Sequence, residues 1–347
     1  MEKRKLNQTM ELCKMIAAIF IVFLHYPFLG TFGKAVNCLS RFAVPVFFAI
    51  SGYFSYGVDS NRFVKRIKHI LKLNIISTLV YVLWSVIAVQ RAGNVSVTEM
   101  LEMKLSAANI VKWLFINVNP FAGHLWYLAA ILTCYVILWA YAGFYEGKQI
   151  NYTPLYILGF TLILLHLLFS TVATASKMSV PYFVYRNALL FGLPMVVLGI
   201  FVREYGERIV NNFKLNGVKT IILITVGSAL SLLQWKGLGK IEMPVGALIT
   251  VVALMLFMST QSEIPFVGKH LYGLFSHFGN ISLIMYICHI LIGNVIKTYS
   301  ADSAFLMKIA ENGNLFPCAI LIFSILAGVI FDIFSTLIKN VKKKQKN

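Results

Sequence analysis

Residues 12–29 read LCKMIAAIFIVFLHYPFL, an apolar run long enough to cross the roughly 30 Å hydrocarbon core of a bilayer as one helix. The run contains a lysine and a histidine, and no A-x-A-like cleavage site follows it, so we interpret it as a first transmembrane span and not as a signal peptide. Further apolar runs of spanning length follow at 41–58, 69–90, 125–145, 153–174, 181–203, 217–235, 243–260, 276–297 and 315–338. Lipid offers backbone groups no hydrogen-bond partner, so such runs form helices. We therefore predict an all-α, polytopic helical membrane bundle of about ten transmembrane helices, forming one transmembrane domain over residues 1–347.

The composition argues against a soluble protein. Hydrophobic residues make up 59% of the chain and charged residues only 13%, whereas soluble domains contain about 25% charged residues. The net charge of +18 lies mainly in short segments between the apolar runs. That distribution is typical of topology control and of contact with anionic lipids. We therefore expect membrane lipids, and not nucleic acid, as partners.

The basic segments predict the orientation of the chain. An even number of spans places both termini on one side of the membrane. If that side is the cytoplasm, most lysines and arginines outside the spans are cytoplasmic, as the positive-inside rule requires. The segments that decide this are KRK at 3–5, RFVKRIK at 62–68 and KKK at 342–344. We expect a multi-pass protein of the cell membrane with both termini in the cytoplasm.

Motifs for metal binding and for several common nucleophiles are missing from the sequence. No two of the five cysteines have CxxC spacing, and no histidine pair has HExxH spacing, so we expect no metal site. The serine-hydrolase pattern GxSxG and a glycine-rich phosphate loop are absent too. We therefore expect no tightly bound cofactor.

Two ionisable residues lie inside the first span, where a charge costs roughly 2.5–3.5 kcal/mol. Lys14 and His25 are eleven residues apart, so at about 100° per residue they share one helix face, separated by about 16 Å along the axis. An imidazole suits general-base catalysis at neutral pH, although no carboxylate to orient it is evident. The spacing alone is equally consistent with Lys14 snorkelling to the headgroups and with His25 making an interhelical hydrogen bond.

Other segments also place polar side chains at membrane depth. The residues are Arg41 at the outer edge of the second span, His124 at the mouth of the fourth, Arg186 and Asn187 at the start of the sixth, and Tyr286 and His289 in the ninth. For His166 and His277 a structural role is favoured. Asp332 is the only carboxylate well inside a span, and the topology places it towards the cytoplasmic end.

Five segments, in order along the chain, resemble the motifs of membrane-bound acyltransferase family 3, the bacterial O-acyltransferases that modify cell-surface glycans. They are Lys14-x10-His25, VPVFFAISGYF at 44–54, the basic run at 62–68, HLWYL at 124–128 and GNISLIMYICH at 279–289. Each is weak alone, but their order and spacing agree with the family over nearly the whole chain. The segments RFAVPVFFAISGYF and YRNALLFGLP resemble the branch of this family that is similar to the membrane part of serine racemases.

This resemblance implies an enzyme that moves an acyl group, most simply acetyl, from cytoplasmic acyl-CoA to a hydroxyl of a cell-surface glycan or another extracytoplasmic acceptor. Such an enzyme has the glycan or a lipid-linked acceptor as a partner, and a polysaccharide biosynthesis complex is a further candidate. The roles implied are catalytic for His25 and Lys14, donor binding for Arg62, Lys65, Arg66 and Lys68, and acceptor binding for Arg41, His124, Tyr286 and His289. The basic run lacks the family's Arg-x-x-Arg pair, and lysine offers a phosphate a point charge in place of a planar fork.

Two other functions are left open by the sequence. A transporter of an amino acid or small polar solute also uses intramembrane charges and broken helices, although no inverted repeat is visible here. A non-catalytic partner of a polysaccharide synthase or flippase would not depend on His25. Release of CoA from acetyl-CoA by the purified protein separates the enzyme from both.

Overall fold

A computed structural model describes residues 6–264 and 269–344, and within these ranges the chain forms helices and no strands. The α-helices in chain order are α1 Gln8–His25, α2 Gly30–Leu39, α3 Ala43–Tyr53, α4 Ser60–Ala92, α5 Val97–Lys104, α6 Ala107–Ile116, α7 Trp126–Phe144, α8 Thr153–Ala175, α9 Tyr182–Tyr185, α10 Leu193–Phe213, α11 Gly217–Leu238, α12 Val245–Thr260, α13 Lys269–Thr298, α14 Ala304–Glu311 and α15 Leu315–Lys344. The basic residues at 3–5, which contribute to the predicted orientation, lie outside the described residues.

The predicted helical membrane bundle is confirmed. Among the described residues, nine helical segments are long and apolar enough to cross a membrane, namely Gln8–His25, Gly30–Tyr53, Ser60–Ala92, Gly123–Phe144, Thr153–Ala175, Ala188–Phe213, Gly217–Leu238, Gly273–Thr298 and Leu315–Val341. The predicted span at 243–260 corresponds to α12, which has 16 residues and is about 24 Å long. The chain is therefore an integral membrane protein.

The third span begins at Ser60 and not at residue 69, so the basic run at 62–68 is helical and not a loop. Asp59 caps this helix, because its Oδ1 accepts a hydrogen bond from the backbone N–H of Arg62 at 2.8 Å. Lysine and arginine are good helix formers, so nothing in the run ends the helix. With 33 residues, α4 is longer than the roughly 20 residues that cross the hydrocarbon core.

The second span begins at Gly30 and not at residue 41, and a 3-10 turn interrupts it shortly before Pro45. Pro45 has no N–H to donate, and its ring opposes the carbonyl group of Arg41 four residues earlier. The α-helical pattern accordingly gives way to a 3-10 turn over Ser40–Phe42, between α2 and α3.

The sixth predicted span, 181–203, is interrupted near its start. The short helix α9 ends before Arg186, and a π-helical turn over Ala188–Gly192 precedes α10. Asn187 starts that turn, since its Oδ1 accepts hydrogen bonds from the backbone N–H groups of Leu189 and Leu190 at 3.0 and 2.8 Å. A hydropathy window does not detect this break, because the interrupting residues are few and the flanking ones are apolar.

Contacts divide the chain into two compact units. The first contains Met1–Phe47 and Leu256–Asn347, and here α1 packs against α13 and α15 around a core that includes Ala18 and Met285. The second contains Phe48–Met255, where α4 packs against α7, and α8 against α10. The fully buried ring of Phe48 contributes to this second core.

Two glycines let α3 and α10 approach closely in the second unit. A Cβ added at Gly52 would collide with the backbone carbonyl group of Val196, and one added at Gly199 would collide with that of Ala49. Small residues are favoured where membrane helices cross at short distance, because dispersion contacts between backbones replace the hydrophobic effect. Gly52, part of the VPVFFAISGYF segment, therefore has a structural reason to be glycine.

Gly199→Ala is expected to destabilise the second unit, because the new methyl group meets backbone that has no rotamer to change. Overpacking of this kind costs about 1–3 kcal/mol or more, so the Tm of the detergent-purified protein should fall by several degrees. Gly143→Ala in α7 is the matched control, since a Cβ there meets nothing within 4 Å. An equal Tm for both variants and the parent would contradict the close approach of α3 and α10.

Candidate functional site

The lysine of the first span is paired with a carboxylate on its own helix. Lys14 Nζ lies 2.7 Å from Glu11 Oε1, and the two side chains are 21% and 13% exposed. A Cβ at position 279 of α13 would lie 2.9 Å from Glu11 Oε2, so Gly279 gives the carboxylate room against that helix. Glu11 was not among the site residues predicted from the sequence, although its i, i+3 spacing from Lys14 was the available signal.

The histidine at the other end of α1 lies against a second histidine. The ring centroids of His25 and His289 are 5.0 Å apart, and the ring of Tyr286 follows at 6.4 Å from His289. His289 is fully buried, with Nδ1 at 3.0 Å from the carbonyl oxygen of Met285. A carbonyl oxygen only accepts hydrogen bonds, so Nδ1 carries a proton and Nε2 of the neutral ring is an acceptor.

Both ends of the predicted pair lie on the side of α1 that faces α13. Glu11 is beside Gly279, Ala18 packs on Ile281 and Met285, and His25 is beside His289. This is the arrangement that the eleven-residue spacing predicts, with an ion pair at one level and an imidazole pair about three turns further along.

Arg41 is held near the end of α1 by an asparagine. Its Nη2 lies 3.5 Å from Asn37 Oδ1, while Asn37 Nδ2 donates to the carbonyl oxygen of Leu24 at 2.9 Å. Arg41 is only 6% exposed and lies in the 3-10 turn before α3. The first unit thus brings together His25, His289, Tyr286 and Arg41, with Asn37 as a residue that sequence reasoning missed.

The basic run of α4 belongs to the second unit, and its four cations are engaged differently. Arg66 donates to Ser55 Oγ at 2.8 Å and to the carbonyl oxygen of Phe54 at 2.7 Å, so it ties α4 to the end of α3. Arg62 pairs with Asp59 at 3.2 Å, in an exposed position. Lys65 and Lys68 are exposed, one turn apart.

His124, also in the second unit, belongs to a polar layer on α4. Its Nε2 lies 3.3 Å from the hydroxyl oxygen of Tyr81, and both residues are buried. The segment before it is arranged by Asn119, whose Nδ2 donates to Thr78 Oγ1 at 2.8 Å. Thr78 and Tyr81 lie one turn apart on α4, so polar residues at helical spacing within an apolar run were the signal for this layer.

A further polar cluster joins α13 to α15 in the first unit. His277 Nδ1 is hydrogen-bonded to Asp332 Oδ2, and Asn280 Nδ2 donates to Asp332 Oδ1 at 2.6 Å. The carboxylate is buried, and the His277 side chain is 42% exposed. Within the described ranges, no group of three or more His, Cys, Asp and Glu side chains is placed to hold a metal ion.

The arrangement in the first unit suits proton transfer at membrane depth. His25 is half-buried and packs against the ring of His289, which the hydrogen bond to Met285 holds in one orientation. An imidazole packed in this way is available for general acid–base chemistry.

Comparison with known proteins identifies one family. A family model described as an acyltransferase domain matches residues 7–333, which is nearly the whole chain. Comparison with curated proteins and with solved structures gives no significant match.

Proposed function

The chain belongs to the acyltransferase family that this match defines, and on that premise we propose that it moves an acyl group, most simply acetyl, from cytoplasmic acyl-CoA to a hydroxyl of an extracytoplasmic acceptor. A cell-surface glycan is the acceptor class we favour. The observation that carries the proposal is the polar face of α1, with Lys14 and Glu11 at one level and His25 against His289 at the other. Charged and polar groups at these depths are costly, and residues that are present despite that cost mark functional sites.

In the proposed reaction His25 is the general base. It removes the proton from the acceptor hydroxyl as the oxygen attacks the thioester carbonyl carbon. The carbon–sulfur bond then breaks, the oxygen keeps the acyl group as an ester, and the thiolate of CoA takes a proton from the imidazolium. His289 acts as a positioning residue, because its ring is fixed by the hydrogen bond to Met285 and packs against the ring of His25.

The donor side of the proposal rests on cations. Lys65 and Lys68 are exposed near the start of α4, and each offers a point charge to the phosphates of CoA. Arg66 already donates to Ser55 and Phe54, so we assign it chiefly to holding the two lysines in place. Arg62 contributes charge at the rim, and Lys14 holds a polar part of the donor within the membrane.

Orientation and partners follow from the same proposal. The ends of the chain lie in the cytoplasm, where acyl-CoA is found, in a cell membrane whose anionic lipids contact the basic segments. Arg41, His124 and Tyr286 are proposed to bind the acceptor or the developing oxyanion. We propose a polysaccharide biosynthesis complex as the source of that acceptor, and the reaction needs no tightly bound cofactor.

Release of CoA from acetyl-CoA by the purified protein tests the proposed function. We expect the rate of CoA release to increase when an extract of cell membranes and cell wall, which contains the acceptor, is added. In cells, mass spectrometry should find acylated surface glycan in the parent strain and not in a deletion strain. Identical glycan in both strains, together with no CoA release, would reject the proposal.

The double substitution Lys65→Gln and Lys68→Gln is expected to raise the KM for acetyl-CoA about tenfold while kcat stays nearly unchanged. The reason is that two exposed charges contribute to binding equally before and during the reaction. Arg208→Gln is the control, since Arg208 is an exposed cation in the last part of α10. A fall in kcat at unchanged KM would show that the lysines do not act through donor binding.

A further inference from the structure

The second unit contains a cavity of about 310 Å³ beside the end of α8. Its walls come from α8, from the residues that follow it and from the segment before α12. The lining residues that matter here are Thr174, Lys177, Tyr185, Lys240 and Glu242. The volume is at the lower end of the range for small-molecule sites, which suits a ligand of about one sugar ring.

The charge around this cavity is positive. Lys177 and Lys240 line it, and Arg186 forms an ion pair with the lining residue Glu242. Three cations therefore stand against one carboxylate. Arg186 does not line the cavity itself, and its guanidinium lies over the ring of Tyr182 at 5.8 Å.

These cations are placed against the usual bias of membrane proteins. If both termini are cytoplasmic, the segments between α8 and α10 and between α11 and α12 face outward, and short outward segments are normally poor in lysine and arginine. Lys177 has a φ of 53° because it closes the end of α8: its N–H donates to the carbonyl oxygen of Thr174 at 3.1 Å, and the N–H of Met178 donates to that of Ala173 at 2.9 Å. The outward placement of the cations is explained if they bind an anionic group.

The wall also offers groups that suit a sugar. Tyr185 presents an aromatic ring, and Glu242 and Thr174 supply acceptor oxygens for hydroxyl groups. The ring of Tyr185 packs against the buried ring of His166, with centroids 6.1 Å apart, so the aromatic side of the cavity is supported from the interior.

We propose that this cavity binds a saccharide unit carrying a carboxylate or phosphate group. Lys177 and Lys240 hold the anionic group, and Tyr185 and Glu242 contact the ring and its hydroxyls. Resting on the proposed function, this makes the natural acceptor an acidic glycan. The residues that line this cavity all belong to the second unit.

Binding of glucuronate to the full-length protein tests this inference. The protein is placed in nanodiscs of phosphatidylcholine, without acyl-CoA, and titrated calorimetrically with glucuronate and with uncharged glucose. We expect glucuronate to bind at least tenfold more tightly than glucose. The double substitution Lys177→Gln and Lys240→Gln should remove that difference, with the Lys240→Gln single variant as a milder substitute. Lys236→Gln is the control, because Lys236 is exposed near the end of α11 and does not line the cavity.

Equal affinity for glucuronate and glucose, or equal losses in the Lys240→Gln and Lys236→Gln variants, would overturn the assignment. Displacement of glucuronate by phosphatidylglycerol added to the nanodiscs would assign the cavity to a lipid headgroup instead. The assay contains no donor, so it separates this inference from the proposed reaction. If glucuronate binds but CoA is not released, the proposed reaction is rejected and the saccharide site stands. If CoA is released but glucuronate does not bind, the saccharide site is rejected and the proposed reaction stands.

Discussion

His25→Ala is expected to lower acyl transfer by at least about 100-fold while the protein still reaches the membrane. General-base assistance contributes roughly 10²–10⁴-fold, and alanine has no group that accepts the proton of the acceptor hydroxyl. His25 is half-buried at the last position of α1, so its removal should change the Tm little. The measurement is acylation of surface glycan by mass spectrometry, in a deletion strain complemented with each variant.

His69→Ala is the control for this experiment. His69 is exposed on α4, so its loss should leave both acylation and Tm unchanged. Acylation at the parent level in the His25→Ala strain would remove His25 from the mechanism, even though the family assignment would stand. A large fall in Tm for that variant would instead show a structural role in the contact with His289.

The helical bundle was predictable because lipid forces nearly every long apolar run into the same structure. The ends of the helices were not, because they depend on a few local groups. Asp59 starts α4 ahead of its apolar part, and Pro45 moves a helix break to Ser40–Phe42. Neither effect changes the hydropathy of a window, so the window placed these boundaries wrongly.

The shared face of Lys14 and His25 was predictable from helix periodicity alone. Their partners were not, because Gly279 and His289 lie far away in the chain and only the packing of α13 on α1 brings them near. The basic run shows the same limit. Composition treats Arg66 and Lys65 alike, whereas in the structure Arg66 donates hydrogen bonds to Phe54 and Ser55, just after α3, and Lys65 is exposed.

Lys14→Met is expected to abolish most activity, but for two reasons that a single variant does not separate. The substitution removes the proposed donor contact and also deprives the mostly buried Glu11 carboxylate of its cation. Breaking a buried ion pair costs about 3–5 kcal/mol, so the Tm should fall together with the activity. For the fraction that remains folded, we expect a raised KM for acetyl-CoA.

Paired substitutions separate these two reasons. The neutral pair Glu11→Gln with Lys14→Met, and the exchanged pair Glu11→Lys with Lys14→Glu, both remove the unmatched charge, so each should recover most of the lost Tm. If Lys14 contacts the donor, neither pair recovers CoA release, since no cation stands at position 14. If the lysine only neutralises Glu11, activity returns with stability in both pairs. We expect the first result, because glutamate or methionine at position 14 does not supply the positive charge that a phosphate or polar pantetheine group requires in a medium with little water.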